Sequence, residues 1–197
     1  KACGVLELKR HIPKGHPLLT SGLAYAVNAD EAEALCGVKL LSQQGGWFFP
    51  HAGWVSPPLL CQAQLQKHSE NIKLIVETEA LSLAYATDGW HIIGQDGTNI
   101  AHAPVVVIAN ACDASHFTHA AYLPLRNIRG QVTELPATAS TEGLRTVLCY
   151  EGYILPADGE GIHMVGASFQ PDQTEGKLIM ADHTANLAML STYLPVD

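Results

Sequence analysis

The sequence predicts an α+β fold, an interleaved α/β arrangement in which an antiparallel sheet with flanking helices surrounds a segment of different character. Short apolar runs separated by turn residues occupy roughly residues 3–68 and 122–194, as is typical of antiparallel sheets. Pro104–Ala111 differs from them, because it holds five consecutive apolar residues, mostly β-branched, and ends in small ones. Such a run favours a strand buried on both faces of a parallel sheet, with an end that lets a ligand approach the backbone.

The first third of the chain alternates strands with helices. The predicted elements are a strand at 3–8, a helix at 29–35, one or two strands at 40–49 and a helix at 56–68. Asn28 or Asp30 begins the first helix, and Ser56 caps the second, which opens with two prolines where a missing N–H costs least. Apolar residues recur at helical spacing in the second helix, which predicts an amphipathic helix.

Turn residues divide the rest of the chain into short segments. The predicted elements are strands at 71–76, 80–86, 89–94, 99–103, 126–135, 147–155 and 162–167, and a helix at 177–194. Asp88-Gly89 and Asp96-Gly97 indicate hairpins, and the last three strands are predicted to be antiparallel neighbours. The change in the pattern of predicted elements divides the chain into one domain, residues 1–68 and 122–197, and part of a second domain, residues 69–121.

Composition limits the possible functions. Hydrophobic residues make up 47% of 197 residues, enough for a sizeable core, and the net charge of -8 provides no global positive field for a nucleic-acid backbone. Five scattered cysteines without a C-x-x-C pair predict reduced thiols in a cytoplasmic protein. No apolar run approaches the roughly 20 residues that span a bilayer, so we expect no membrane segment. The chain begins without Met inside a predicted strand, which suggests a piece of a longer protein.

Several catalytic motifs are missing from the sequence. No G-x-S-x-G, H-E-x-x-H or P-loop pattern is present. His116 and His119 are the one close histidine pair, and apart from Asp113, one turn before, no carboxylate or cysteine lies at metal-binding spacing from them. We therefore predict exposed histidines there and no metal site. The G-x-G-x-x-G fingerprint of dinucleotide-binding sites is also absent. The closest pattern is Gly94-x-x-Gly97, which lies in a predicted hairpin rather than between a strand and a helix.

Two strand segments carry candidate site residues. Arg129 and Gln131 flank a glycine and share one face of a predicted strand. This indicates either a place where a ligand or another backbone approaches closely, or an exposed polar strand face. In Cys149–Pro156, strand alternation places Glu151 and Tyr153 on one face, where the tyrosine either borders a cavity or packs at a seam between sheet and helix. The small residues before Phe169 let another group approach the backbone closely. The alternative is that this segment packs in the core.

Four motifs in one order carry a family resemblance. GGWFFPHAGWVSP, VVVIANA, RGQV and CYEGYILP, the last followed by MVGASF, resemble the D-amino-acid-oxidase-like flavoprotein superfamily, which includes glycine oxidase and sarcosine oxidase. Within it, the opening CGVLEL and the RGQV and LCYEGYILP strands are similar to the FAD-dependent oxidoreductase half of bifunctional tRNA-modifying enzymes. The resemblance spans essentially the whole chain.

The resemblance implies a fold, a cofactor and a reaction. The family combines an FAD-binding Rossmann-like domain, here part of residues 69–121, with an antiparallel substrate-binding domain. The tRNA-modifying relatives use FAD to remove the carboxymethyl group from 5-carboxymethylaminomethyluridine at the wobble position. S-adenosylmethionine serves a separate methyltransferase half that this sequence does not contain. The alternatives are a glycine- or sarcosine-type amino-acid oxidase and, in another class, a non-catalytic substrate- or RNA-docking module.

The resemblance also implies site residues. The cofactor-binding positions are Ala80, Ala109, Asn110, Ala111, Arg129 and Gln131, and the positions that face the flavin ring and substrate, taken as catalytic, are Tyr153 and Phe169. Relatives often carry glycine where Ala111 stands. The family's G-x-G-x-x-G unit, its C-terminal FAD segment and its carboxylate-binding arginine have no counterpart here, which argues against tight FAD binding by this chain alone. The oligomeric state is left open.

Overall fold

The structure is a computed structural model that describes residues 1–9, 22–174 and 176–196. The chain divides into two compact units, the first formed by residues 1–61, 129–170 and 175–197 and the second by residues 62–128 and 171–174. The strands, in chain order, are β1 (Val5–Leu8), β2 (Tyr25–Val27), β3 (Gly46–Phe49), β4 (Ser82–Ala86), β5 (Gly89–Ile93), β6 (Asn99–Ala103), β7 (Ile128–Arg129), β8 (Thr133–Pro136), β9 (Val147–Cys149), β10 (Tyr153–Ile154), β11 (Ile162–Gly166) and β12 (Gln170–Pro171). The α-helices are α1 (Ala29–Cys36), α2 (Pro57–Lys67) and α3 (Met180–Leu190), and short 3-10 helices lie at Ser69–Asn71, Gln95–Gly97 and Ala111–His116.

The first unit is built on a mixed sheet. Among the described residues its seven strands run in the order β2-β3-β1-β9-β10-β11-β8. All neighbours are antiparallel except β1 and β9, which pair in parallel with Val5 opposite Val147. The expected antiparallel order of the last strands is confirmed, since β11 lies between β10 and β8.

Buried apolar side chains from this sheet and its helices form one core. Its members include Leu6, Leu8, Val27, Cys36, Phe48, Leu148, Ile154, Val165, Leu190 and Leu194. α1 is held at its start by a capping box, in which Asn28 accepts the N–H of Glu31 and the Glu31 carboxylate accepts the N–H of Asn28. The expected helix start is therefore confirmed at Asn28.

The predicted strand 147–155 is a hairpin instead of one strand. β9 and β10 pair with each other, Cys149 opposite Tyr153, and the chain reverses between them. The Tyr150 N–H donates to the Gly152 carbonyl at 2.9 Å across this turn. Alternation does not continue through a reversal, so the predicted shared face of Glu151 and Tyr153 is wrong.

The second unit contains a three-stranded meander, β4-β5-β6, with antiparallel pairing throughout. The expected hairpins are confirmed, and Gly89 (φ 128°) and Gly97 (φ 72°) provide the left-handed backbone that the turns require. None of the helices in the described residues is both long and apolar enough to cross a membrane. All five cysteines lie in the described part and are free thiols.

Two strands predicted in the second unit do not form. Residues 71–76 and 104–111 carry no strand, although both are apolar. Val105 and Val107 are 72% and 83% exposed, and the described residues supply no neighbouring strand to pair with them. A buried parallel strand needs partners on both edges and cover on both faces, so the pattern alone was insufficient.

Three further predictions need correction. The predicted strand 126–135 is broken into β7 and β8 around Gly130, and the predicted helix at 177–194 is shorter, Met180–Leu190. The predicted helix from Ser56 to His68 forms as Pro57–Lys67, but no side chain in it is buried and Leu59 is 65% exposed. The apolar side chains of this helix are therefore not part of a buried core among the described residues.

Candidate functional site

A buried ion pair organises the polar part of the first unit. The Arg129 guanidinium pairs with the Asp182 carboxylate, and their side chains are only 9% and 7% exposed. Arg129 also donates to the Lys177 carbonyl at 2.6 Å and to the side-chain oxygen of Gln131. Two charges at this depth are tolerable because each is paired and hydrogen-bonded.

The Asp182 carboxylate also fixes the segment that follows β11. Ser168 Oγ donates to it at 3.1 Å and Gln170 Nε2 at 2.8 Å, on either side of Phe169. We call Arg129, Gln131, Ser168, Gln170 and Asp182 the Arg129 cluster. Its bonds hold the backbone of residues 168–170 in place from within the unit.

Gln131 connects the same cluster to the start of α3. Its side-chain amide donates to the Ile179 carbonyl and accepts the Ile179 N–H, both at 2.9 Å. Asn186, buried on α3, donates to the Gln131 carbonyl at 3.0 Å. Gln131 is 5% exposed, so the alternative of an exposed polar strand face is wrong for this residue. The structure thus brings the two predicted cofactor positions Arg129 and Gln131 together, with their polar groups engaged by α3.

The two positions predicted to face the flavin and substrate lie on neighbouring segments. Tyr153 is half-buried on β10, and its ring lies over Gly166, where an added Cβ would come within 3.1 Å of the ring carbon Cζ. Phe169 is 70% exposed on the segment held by the Arg129 cluster.

Sequence analysis missed a pair of tyrosines next to Tyr153, whose carbonyl accepts a hydrogen bond from the Tyr150 hydroxyl at 3.4 Å. Tyr150 stacks on Tyr193, with ring centroids 4.6 Å apart, and the Tyr193 hydroxyl donates to the Glu151 carboxylate. Burial raises the pKa of Tyr150 well above its ordinary value, so this phenol stays neutral. No local signal could have found the pair, because Tyr193 comes more than forty residues after Tyr150.

The second unit holds an open cavity of about 600 Å³. Its lining is mostly apolar and consists of Glu79, Ala80, Leu81, Leu83, Ile92, Val106, Val107, Ile108, Ala109, Asn110, Asp113, His116 and Phe117. Three of the predicted cofactor positions, Ala80, Ala109 and Asn110, are thereby brought to one place. This volume lies in the range of small-molecule sites, which combine apolar walls with a few polar groups.

The next residue, Ala111, is also a predicted cofactor position but is not among the lining residues, and it has a left-handed backbone with φ 51°. An alanine there is strained relative to glycine, which explains physically why glycine suits this position. Ala80 and Ala109 project only methyl groups, so larger side chains would fill part of the cavity. The lining thus combines small and apolar side chains with the Asn110 amide and the carboxylates of Glu79 and Asp113.

These features agree with the similarity of the whole chain to one family. The sequence profile described as FAD dependent oxidoreductase (DAO) matches residues 3–197, so the chain belongs to that family. At the level of individual proteins, it is 43% identical over 199 residues to the tRNA 5-methylaminomethyl-2-thiouridine biosynthesis bifunctional protein MnmC of Stutzerimonas stutzeri, and 43% identical over 195 residues to that of Pseudomonas putida strain F1. Each alignment covers 96% of this chain and 29% of the relative, so the chain spans under a third of their length.

Solved structures confirm the fold class. Glycine oxidase from Geobacillus kaustophilus superposes with a TM-score of 0.80 and that from Bacillus cereus with 0.79, each 19% identical. Both alignments cover 99% of this chain, with 55% and 57% of the respective oxidases. The family resemblance drawn from the four motifs and the mixed α+β prediction are both confirmed.

Proposed function

We propose that this chain is part of an FAD-dependent oxidoreductase that removes the carboxymethyl group from 5-carboxymethylaminomethyluridine at the wobble position of tRNA. The observation that carries the proposal is 43% identity, over nearly the whole chain, to proteins named for tRNA 5-methylaminomethyl-2-thiouridine biosynthesis. Oxidation of the secondary amine to an imine, followed by hydrolysis, leaves 5-aminomethyluridine and a two-carbon oxo acid. A tRNA substrate would place the reaction in the cytoplasm.

We assign residues 69–121 to the FAD-binding part of the protein and residues 1–68 and 122–197 to substrate binding. The cavity supports the first assignment, because Ala80, Ala109 and Asn110 offer two small side chains and one amide against apolar walls. FAD, when bound, supplies the two-electron acceptor that amine oxidation requires. The chain's own residues would orient the ring system and exclude water from it.

Tyr153 and Phe169 are the aromatic walls we assign to the substrate side. Tyr153 is fixed over Gly166, and Phe169 is fixed by the bonds of Ser168 and Gln170 to Asp182. Arg129 is engaged with Asp182 in the same cluster, so it acts here as a positioning residue and is not assigned to the substrate carboxylate. Rigid aromatic faces hold a substrate in one orientation at little entropic cost.

The net charge of -8 limits what the chain can do with RNA by itself. Phosphate contacts supply most non-specific affinity, and the 197 residues hold only 11 Lys and Arg. We therefore assign tRNA binding to the whole protein. S-adenosylmethionine would serve only a separate methyltransferase half.

Anaerobic flavin reduction by different substrates tests the proposal. In the protein that contains this chain, tRNA bearing 5-carboxymethylaminomethyluridine should bleach the flavin in a single turnover, whereas glycine and sarcosine should not. Reduction by free glycine or sarcosine alone would establish the amino-acid oxidase instead, and no reduction by any of them with FAD bound would favour a docking module.

A variant of Tyr153 tests the assigned aromatic wall. Tyr153→Ala should slow flavin reduction while FAD content and melting temperature stay nearly normal, and Tyr153→Phe, which keeps the ring, should be close to wild type. A core tyrosine would behave differently, since truncating it would cost about 3–5 kcal/mol and lower FAD retention together with activity. A stable, FAD-replete Tyr153→Ala protein that is reduced as fast as wild type would overturn the assignment.

A further inference from the structure

Three side chains of metal-ligand type converge on the meander of the second unit. Asp88 lies in the turn before β5, His91 lies on β5 and His102 lies on β6. Their ligand atoms, one carboxylate oxygen and two ring nitrogens, all lie within 4.8 Å of one another. None of these residues lines the cavity described above.

The backbone dictates this convergence. His91 and His102 are directly opposite in the register of β5 and β6, and their rings lie 4.8 Å apart between centroids. Opposed residues on antiparallel strands point to the same face of the sheet. Gly89, with φ 128°, turns the chain so that Asp88 faces the same pair.

The distances suit a divalent transition metal. Asp88 Oδ1 lies 3.1 Å from His91 Nε2, and Asp88 Oδ2 lies 3.6 Å from His102 Nε2. Tetrahedral zinc with bonds of about 2.0–2.1 Å separates neighbouring ligand atoms by about 3.4 Å. The two carboxylate oxygens of Asp88 therefore each face one imidazole at close to this separation. The three ligand atoms lie within 4.8 Å of one another and would move closer together around an ion.

Two hydrogen bonds would rearrange when an ion binds. Asn99 Nδ2 donates to His91 Nδ1 at 3.0 Å, so Nε2 carries the ring proton and donates to Asp88 in this structure. Metal binding at Nε2 would leave the proton on Nδ1, with the Asn99 amide turned so that its oxygen accepts it. The His102 Nε2 bond to the Asp88 carbonyl, 2.8 Å long, would give way to the metal bond.

We propose that Asp88, His91 and His102 form a binding site for a zinc-like divalent cation, with the remaining position open to water. Two imidazoles and one carboxylate select borderline transition metals such as Zn²⁺ over Mg²⁺, which prefers an all-oxygen octahedral set. The sequence-based expectation of no metal site considered only His116 and His119, because the strand register that joins His91 to His102 is invisible in one sequence.

Zinc titration of tag-free protein tests this site. Isothermal titration should give one Zn²⁺ per chain, and His91→Ala, His102→Ala and Asp88→Asn should each weaken binding by at least roughly tenfold, with Asn99→Ala weakening it by roughly 10–100-fold as an orienting partner. His68→Ala, an exposed histidine outside the cluster, is the matched control and should bind as wild type. Mg²⁺ should not compete.

Two outcomes would overturn the proposal: no stoichiometric Zn²⁺ binding by the wild type, or binding that is equal in every ligand variant, which would place the ion elsewhere. Circular dichroism and melting in EDTA show whether each variant is folded. A variant that does not fold is replaced by NMR of the wild type, in which Zn²⁺ must shift the ring signals of His91 and His102 and leave those of His68 unchanged.

Discussion

Removing the Asp182 carboxylate should destabilise the first unit severely. In Asp182→Ala the Arg129 guanidinium stays buried and keeps only neutral partners, the Gln131 amide and the Lys177 carbonyl. Ser168 and Gln170 each lose a charge-assisted hydrogen bond as well. Breaking a buried pair from one side costs about 3–5 kcal/mol, a large share of the roughly 5–15 kcal/mol by which domains are stable.

Urea denaturation followed by circular dichroism measures this loss. With a slope of about 2 kcal/mol per molar urea, the midpoint should fall by roughly 2 M. Arg126→Ala is the matched control, since it breaks the Arg126–Asp172 pair, whose side chains are 66% and 67% exposed, and should change the midpoint little. Equal shifts in the two variants would refute the reasoning. A double variant, Arg129→Met with Asp182→Leu, should be more stable than Asp182→Ala, because no buried charge is left without its partner.

Two further perturbations concern turns of the first unit. Gly152→Ala should lower the free energy of unfolding by about 1–3 kcal/mol, because the new Cβ would lie 2.4 Å from the Gly166 carbonyl oxygen. Gly159→Ala is the control and should be neutral, because its Cβ would meet nothing within 4 Å. Equal melting temperatures of the two variants would contradict this reasoning. Backbone N–H groups of the turn that follows Asp158 donate to its carboxylate and lower its pKa from the ordinary 3.8. The ionised carboxylate therefore stabilises the fold above pH 3.8, and this stabilisation is lost as the pH falls through the lowered pKa. Asp158→Ala should therefore melt below wild type at pH 7, and the difference should shrink in acid; a constant difference would show that the carboxylate's charge is irrelevant.

Elements encoded locally could be predicted from the sequence. The capping box of Asn28 and Glu31 lies within four residues, and the hairpins at Asp88-Gly89 and Asp96-Gly97 are encoded in dipeptides. Elements that depend on distant partners could not. The valines of 104–111 have strand character but no paired neighbour among the described residues, and the reversal at Tyr150–Gly152 interrupts an apparently continuous strand.

The candidate site divides in the same way. Ala80, Ala109 and Asn110 come from two segments, and family likeness grouped them before the structure placed all three around one cavity. The burial of Arg129 and Gln131 depends on Asp182, which lies more than fifty residues later and carries no signal of its own. Periodicity within one strand shows which residues share a face, and what covers that face is decided by tertiary packing.

The parallel pairing of β1 with β9 has a consequence for how the protein is made. Val5 is synthesised long before its partner Val147, which is added only after nearly the whole second unit has been made. The meander of residues 82–103 has only local pairings and can form while the chain is still growing, whereas the first sheet must wait for a distant strand. Until then β1 has an unpaired edge, which makes nascent chains that end between β1 and β9 the species most exposed to edge-to-edge aggregation and most dependent on chaperones.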